Sequence, residues 1–155
     1  MFREINRKDR ALSESEAREI IARCEFGMLA TQGADGWPYA IAINHVIENN
    51  TIYFHCAKKG HKLDNIRHNP KVCFSVVEKC KVLPEKFATE YTSACAFGTA
   101  EIVGKEERSR ALTLLVARYC KGLEVQGQHK IEKELDHPEV VAIRIQHVTG
   151  KARKA

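Results

Sequence analysis

The segment 51–70 constrains the fold most, because its residue pattern changes from that of a strand to that of a helix across a basic turn. Its sequence is TIYFHCAKKGHKLDNIRHNP. Apolar residues alternate over 52–56, which is typical of a half-buried strand, whereas Leu63 and Ile66 have the spacing of one helix face. Three lysines and a histidine flank Gly60 between the two patterns. The segment therefore predicts a strand, a basic turn and a short helix.

The basic turn is a candidate site for an anion. Free N–H groups at the start of a helix point outward, and the helix dipole adds partial positive charge there. The side chains around the turn add full charges, so a phosphate group is the predicted ligand. The alternative is a solvated surface turn, since a single basic motif has a high false-positive rate. The basic residues concerned are Lys58, Lys59, His61 and Lys62.

The remaining chain is predicted to alternate between short strands and a few helices. Residues 79–90 are predicted to form a polar loop around Pro84, and residues 122–138 give no clear pattern. Gly98 lies inside an apolar run and indicates a bulge or a close backbone approach in a bent strand. Helical spacing predicts amphipathic helices over 13–25 and 105–119. Strand patterns cover 26–31, 37–46, 51–57, 72–77, 91–103 and 140–148.

Six strands in mainly antiparallel order, with helices only at connections, predict a mainly β fold: a six-stranded antiparallel β-barrel with flanking helices. The 155 residues suit one domain, 1–155, with flexible ends over 1–12 and 150–155. Its 25 basic and 20 acidic residues are spread along the chain, which argues against a nucleic-acid surface despite the net charge of +5.

Cysteine usage and hydropathy indicate the compartment. The six cysteines are dispersed and form no C-x-x-C pair, which argues against a metal site. Neither a signal peptide nor an apolar run of about 18 residues occurs, so we expect no membrane segment. We therefore predict a cytoplasmic protein whose thiols stay free and mostly pack as small hydrophobes.

Several motifs are recognisable together. The first four lie at 27–31, 35–44, 52–62 and 69–74, and they are followed by a Tyr-Thr-Ser segment at 91–93 and a closing strand around 143–145. In the order and spacing of these motifs, the chain resembles the pyridoxamine 5′-phosphate oxidase-like, FMN-binding split-barrel proteins, in the branch of the nitroimidazole-resistance proteins.

The resemblance implies a homodimer with FMN at the subunit interface. His61 stands where the family often has arginine, which argues against a bidentate contact from that position. His55 has a second interpretation as a hydrogen-bonded structural residue. The flavin ring would lie along Tyr39, Ala40, Ile41, Ala42 and Asn44, and its phosphate would be held by His55, Ala57, Lys58, His61, Lys62 and Ser93.

The resemblance also implies a function, with alternatives that stay open. The first hypothesis is an FMN-dependent oxidoreductase that takes electrons from a nicotinamide donor and reduces a small-molecule substrate such as a nitroaromatic. The second is a non-catalytic protein that binds or senses flavin or haem, with His45, His55 and His61 as candidate haem contacts. A deazaflavin of the F420 type is a further alternative. No catalytic side chain is assigned. Trp37 is predicted to be a packing anchor, with stacking on the flavin or a substrate as the alternative. Cys56 is predicted to be a buried thiol, with a thiol whose pKa is lowered by the basic neighbours as the alternative.

Overall fold

This computed structural model describes residues 2–154, which contain eight strands and four α-helices. The helices are α1 (Glu14–Arg23), α2 (His61–His68), α3 (Lys105–Tyr119) and α4 (Glu124–Glu134). Two 3-10 turns occupy Lys8–Arg10 and Pro84–Lys86. The strands are β1 (Ala11–Leu12), β2 (Phe26–Gln32), β3 (Pro38–Asn44), β4 (Val46–Glu48), β5 (Thr51–Cys56), β6 (Lys71–Leu83), β7 (Ala88–Ile102) and β8 (Glu139–Arg153).

All strands join one antiparallel sheet in the order β3-β2-β6-β7-β8-β5-β4, and β1 pairs with β8. β3 and β4 are the two ends of this order, and a single residue, His45, separates them in the chain. The chain therefore connects the two ends of the sheet at His45, as in a split barrel. The predicted mainly β barrel with flanking helices is confirmed, with eight strands rather than six.

The predicted polar loop over 79–90 is wrong, because most of it extends two strands. β6 continues to Leu83, β7 begins at Ala88, and the two pair up to the turn. β8 likewise continues beyond the predicted end at 148, and residues 150–153, expected in a flexible end, pair with residues 91–94 of β7. Backbone ladder bonds hold these segments, so they need no alternation of apolar side chains.

The main core lies between the inner face of the sheet and α1. Ile20 and Ile21 of α1 are buried against residues such as Phe54 and Phe74. The start of α1 is fixed by Ser13, whose Oγ accepts a hydrogen bond from the Glu16 N–H at 3.2 Å. A second cluster packs α3 and α4 on the other side of the sheet, around Tyr53, Val140, Leu115 and Ile131.

The predicted irregularity at Gly98 is confirmed. The pairing of β7 with β8 shifts between Phe97 and Gly98. A Cβ atom at position 98 would lie 2.3 Å from the backbone oxygen of Arg144. Only glycine permits this approach of the two strands.

Replacing Gly98 with alanine is therefore expected to lower the free energy of unfolding by about 1–3 kcal/mol, because the opposing backbone must shift. Urea denaturation measures the change. Gly104→Ala is the matched control, since a Cβ at Gly104 meets open space, and its effect should stay below about 1 kcal/mol. Equal effects of the two substitutions would contradict the steric explanation.

The cysteines are more exposed than the sequence predicted. All six thiols are free, but only Cys24 is buried, while Cys80 and Cys120 are exposed. The Sγ atoms of Cys73 and Cys95 contact each other at 3.1 Å across β6 and β7. The expectation of small hydrophobic packing therefore holds for Cys24 and is wrong for Cys80 and Cys120.

None of the helices in the described part of the chain is both long and apolar enough to cross a membrane.

Candidate functional site

The basic turn connects the end of β5 to α2, as predicted. β5 is buried as far as Phe54 and becomes accessible at His55. The chain then turns at Gly60, whose φ of 150° lies in the region that favours glycine. Leu63 and Ile66 are buried in the main core and fix α2 against it. The turn is therefore held by the core on both sides while its own residues stay accessible.

Positive charge at this turn is not neutralised within the chain. Lys58 and Lys59 are exposed and Lys62 is half-buried. Among residues 2–154, no ion pair includes these three ammonium groups, and Asp64 of α2 pairs with Arg67 at 3.3 Å instead. An anion at the turn would thus meet cations that have no competing carboxylate partner.

The structure brings the predicted ring-binding strand next to the turn. The rings of Tyr39, at the start of β3, and His61, at the start of α2, have centroids 4.1 Å apart. Along β3, Ala40, Ala42 and Asn44 are exposed. The small alanine side chains leave the β3 backbone accessible over this stretch. Ile41, also predicted to line the ring, alternates with these residues and is half-buried.

A chain of polar contacts that the sequence analysis missed fixes α2 relative to β3. Asn65 is buried, and its Nδ2 donates to Thr31 Oγ1 of β2 at 2.9 Å. Thr31 Oγ1 in turn donates to the carbonyl oxygen of Tyr39 at 3.4 Å. A polar residue between Leu63 and Ile66 on a buried helix face was the available signal. These contacts keep the basic turn and β3 in a fixed relation.

His55 and Cys56 border a cavity of about 740 Å³ between α3, α4 and the ends of β3 and β5. His55 is accessible through this cavity, yet burial lowers the pKa of its imidazole below the ordinary value. Burial raises the pKa of the Cys56 thiol and outweighs the opposite effect of Lys62. The Cys56 thiol is therefore less acidic than an ordinary cysteine thiol. The residue is half-buried, whereas the sequence predicted a buried thiol.

Within a single chain, the candidate residue Ser93 lies far from the basic turn. It lies in the middle of β7, where it pairs with Val77, whereas the start of β6, next to α2, pairs Lys71 with Thr99. At about 3.3 Å per residue, these positions are roughly 20 Å apart. Ser93 Oγ donates to the Lys151 carbonyl oxygen at 3.4 Å instead.

Trp37 is not a packing anchor, since 74% of it is exposed. It ends the tight turn before β3, in which the Gly33 N–H donates to its carbonyl oxygen at 3.1 Å. Its own N–H donates to Asp35 Oδ1 at 3.1 Å. These two hydrogen bonds fix the turn without any contact from the indole, which is exposed to solvent.

His45, at the bend between β3 and β4, lies inside the protein rather than in the cavity. The residue has no accessible surface, and its Nε2 lies 2.7 Å from the Ile21 carbonyl oxygen. The hydroxyl of Tyr119 donates to the His45 carbonyl oxygen at 2.6 Å. Burial lowers the pKa of His45 from 6.5 to about 4. His45 is thus a structural residue at the bend.

A sequence model of pyridoxamine 5′-phosphate oxidase matches residues 13–152, nearly the whole chain. The chain belongs to the pyridoxamine 5′-phosphate oxidase family. The predicted resemblance is thereby confirmed, and the basic turn, β3 and Ser93 all fall within the matched range of the family model. No curated protein matches the sequence.

Solved structures confirm the split-barrel fold of this family member. A candidate 5-nitroimidazole antibiotic resistance protein from Bacteroides thetaiotaomicron is 21% identical, with a TM-score of 0.74 over 91% of this chain and 85% of that one. An FAD-binding protein from Mesorhizobium loti is 21% identical, with a TM-score of 0.68 over 94% and 98%. An FAD and haem binding protein from Mycobacterium smegmatis is 19% identical, with a TM-score of 0.78 over 92% and 72%.

Proposed function

We propose that this protein is an FMN-binding oxidoreductase that reduces a small acceptor such as a nitroaromatic compound. One observation carries the proposal: an unpaired cationic turn lies against an accessible strand of small residues, joined by the Tyr39–His61 contact of 4.1 Å. FMN has the two matching parts, a phosphate and a planar ring. The family and its flavin-binding structural neighbours support the same choice.

The residues at the turn would hold the phosphate. Lys62 is the strongest candidate, because it is half-buried in the first turn of α2 and free of ion pairs within residues 2–154. Lys58 and His61 would add donors from the exposed side of the turn. Charge-assisted hydrogen bonds of this kind contribute about 1.5–3 kcal/mol each.

The flavin ring would lie on β3 beside Ala40 and Ala42, where no large side chain covers the backbone. Bound FMN would supply the redox chemistry, taking an electron pair from a nicotinamide donor and passing it to the acceptor. The protein's own residues bind and orient the two reactants. His55, at the edge of this surface, is placed to donate a hydrogen bond to one of them.

A second copy of the chain would complete the site. Phe26, Met28 and Val77 are exposed on the outer face of β2 and β6, and Met28 pairs with both Ala42 and Ser75. A contiguous apolar patch on a sheet face is typical of a subunit interface. In a dimer formed across this face, Ser93 would contact the phosphate of the FMN that the partner subunit binds. Within a single chain, Ser93 lies too far from the basic turn for this contact.

Replacing Lys62 with alanine tests the proposal. We expect the dissociation constant for FMN to rise roughly 10- to 100-fold, because one charge-assisted contact to the phosphate is lost. Flavin fluorescence titration of the apoprotein measures the dissociation constant. Light scattering of the same samples tests the dimer and should give a mass twice the 17.5 kDa of one chain. Lys105→Ala, at the start of α3, is the control. A colourless protein that ignores added FMN would contradict the proposal.

A second candidate function is the binding or sensing of haem without turnover. The accessible imidazole of His55 at the 740 Å³ cavity favours it, since neutral imidazole is a common iron ligand. The visible spectrum distinguishes the two functions. Flavin absorbance that bleaches with NADH or NADPH and returns with a nitroaromatic supports the oxidoreductase, whereas a Soret band without bleaching supports haem binding. Mass spectrometry of the released ligand separates FMN from a deazaflavin.

A further inference from the structure

The cavity beside His55 is built mainly from the helical part of the protein, which the sequence analysis left without a function. Its volume of about 740 Å³ lies in the range of small-molecule sites. α3 and α4 supply an apolar wall on the side away from the sheet. That wall consists of Leu112, Leu115, Val116 and Ile131.

Polar groups at this cavity are few and almost balanced in charge. Lys130 and Glu134 of α4 both line it, and their side chains pair with each other at 3.9 Å. The other polar side chains are those of Asn44, His55, Tyr119 and His137, and the Tyr119 hydroxyl already donates to the His45 carbonyl oxygen. Among the described lining residues, no unpaired carboxylate, ammonium or guanidinium group is available to neutralise a charged ligand. A charged ligand would therefore lose its hydration without a fixed partner of opposite charge.

Three residues belong both to the cavity and to the proposed flavin surface: Asn44, His55 and Ala57. Asn44 is also held in place, because its Nδ2 donates to the Glu25 carbonyl oxygen at 2.9 Å. A molecule in the cavity would therefore lie against the end of the surface assigned to the flavin.

We infer that this cavity binds an uncharged aromatic small molecule and is the acceptor site of the proposed flavoprotein. The inference rests on the proposed function for the acceptor role, but the binding site itself follows from the cavity alone. The apolar wall of α3 and α4 contacts the ring. The Asn44 and His55 side chains provide hydrogen bonds to its polar substituent at the flavin end.

Binding of two matched probes tests the chemical class. Nitrobenzene is uncharged, and 4-nitrobenzoate adds one carboxylate to the same ring. We expect nitrobenzene to bind at least about tenfold more tightly, measured by equilibrium dialysis with FMN-saturated protein. Equal binding, or tighter binding of 4-nitrobenzoate, would overturn the inference.

A pair of tryptophan substitutions on one helix end tests the location. Cys120 is exposed and lines the cavity, so Cys120→Trp should fill its mouth and weaken nitrobenzene binding at least about tenfold. Ala117→Trp, exposed on α3 but outside the cavity lining, is the matched control and should bind as the unsubstituted protein does. Loss of binding in both variants or in neither would place the ligand elsewhere.

Thiol protection gives an independent readout that needs no bulky substitution. In a Cys80→Ser background, Cys120 is the remaining exposed thiol of the described chain. Nitrobenzene should slow its alkylation by N-ethylmaleimide, followed by mass spectrometry, whereas 4-nitrobenzoate should not. An unchanged alkylation rate at saturating nitrobenzene would contradict the location.

Flavin absorbance recorded on the same samples separates the two proposals. Protein that retains FMN but gains no protection at Cys120 would overturn the cavity site and leave the flavoprotein intact. Protein that binds nitrobenzene at Cys120 but never binds FMN would retain the site and overturn its acceptor role. A Soret band that persists after addition of nitrobenzene or 4-nitrobenzoate would overturn the inference, because haem would then already occupy the cavity.

Discussion

Replacing Phe74 with alanine is expected to lower the free energy of unfolding by about 3–5 kcal/mol, the range found for large aromatic residues in cores. Phe74 has no accessible surface and lies on β6 between Leu29 of β2 and Ala96 of β7. Its ring also fills the space beside Gly27, where a Cβ atom would lie 2.3 Å from the ring. Removing the ring leaves a cavity that three strands border and that the sheet cannot close.

Equilibrium denaturation in urea measures this loss. The matched control is Phe87→Ala, since Phe87 is 98% exposed in the turn between β6 and β7. That substitution should change the free energy of unfolding by no more than about 0.5 kcal/mol. A Phe74→Ala protein as stable as the Phe87→Ala protein would show that Phe74 is not a core residue.

The sequence predicted the segments whose side chains have a clear period. The helix after Gly60 contacts the core on one side only. The strand at 51–57 was also recognisable, but it is not half-buried as predicted, because Ile52 and Phe54 face the main core and Tyr53 faces the second cluster. The extensions beyond residues 77 and 148 lacked such a period, because the side chains of β6 are largely exposed there and those at 151–153 of β8 are all half-buried. Backbone pairing holds both segments. Helix α4 was missed because only Ile131 of it is buried.

The candidate site was predictable only in part, for a related reason. The basic turn is local, so its lysines are recognisable in one short segment. Its contact with β3 depends on long-range packing through Asn65 and Thr31, 34 residues apart. The cavity depends on how α4 packs against α3, which no short pattern encodes. The exposure of Trp37 was not predictable from its residue type, because hydrogen bonds to its backbone groups hold the turn without the indole.

Acid is expected to destabilise the protein through His45. The imidazole has a pKa of about 4 in the folded protein, because burial disfavours its charged form, against an ordinary value of 6.5. Between pH 4 and pH 6.5, His45 therefore binds a proton in the unfolded chain but not in the folded protein. The contribution to stability is complete above pH 6.5 and is lost as the pH falls towards 4. The loss amounts to about 3 kcal/mol.

The structural reason is the position of His45 at the bend that connects the ends of the sheet. Its ring packs against Phe74 with centroids 4.7 Å apart, and its Nε2 donates to the Ile21 carbonyl oxygen in the neutral form. Protonation would place a charge on Nδ1, which is buried and has no hydrogen-bond partner among the described residues. Folding is therefore coupled to the loss of that proton.

Urea denaturation tests this coupling when the unsubstituted protein and the His45→Gln variant are compared at pH 7 and at pH 4. Glutamine keeps an N–H group for the Ile21 carbonyl but does not titrate, so the variant should lose about 3 kcal/mol less than the unsubstituted protein over this range. His68→Gln removes an exposed histidine of α2 and is the control for the substitution itself. If His45→Gln and His68→Gln lost equal stability on acidification, the acid sensitivity would lie elsewhere than at the bend.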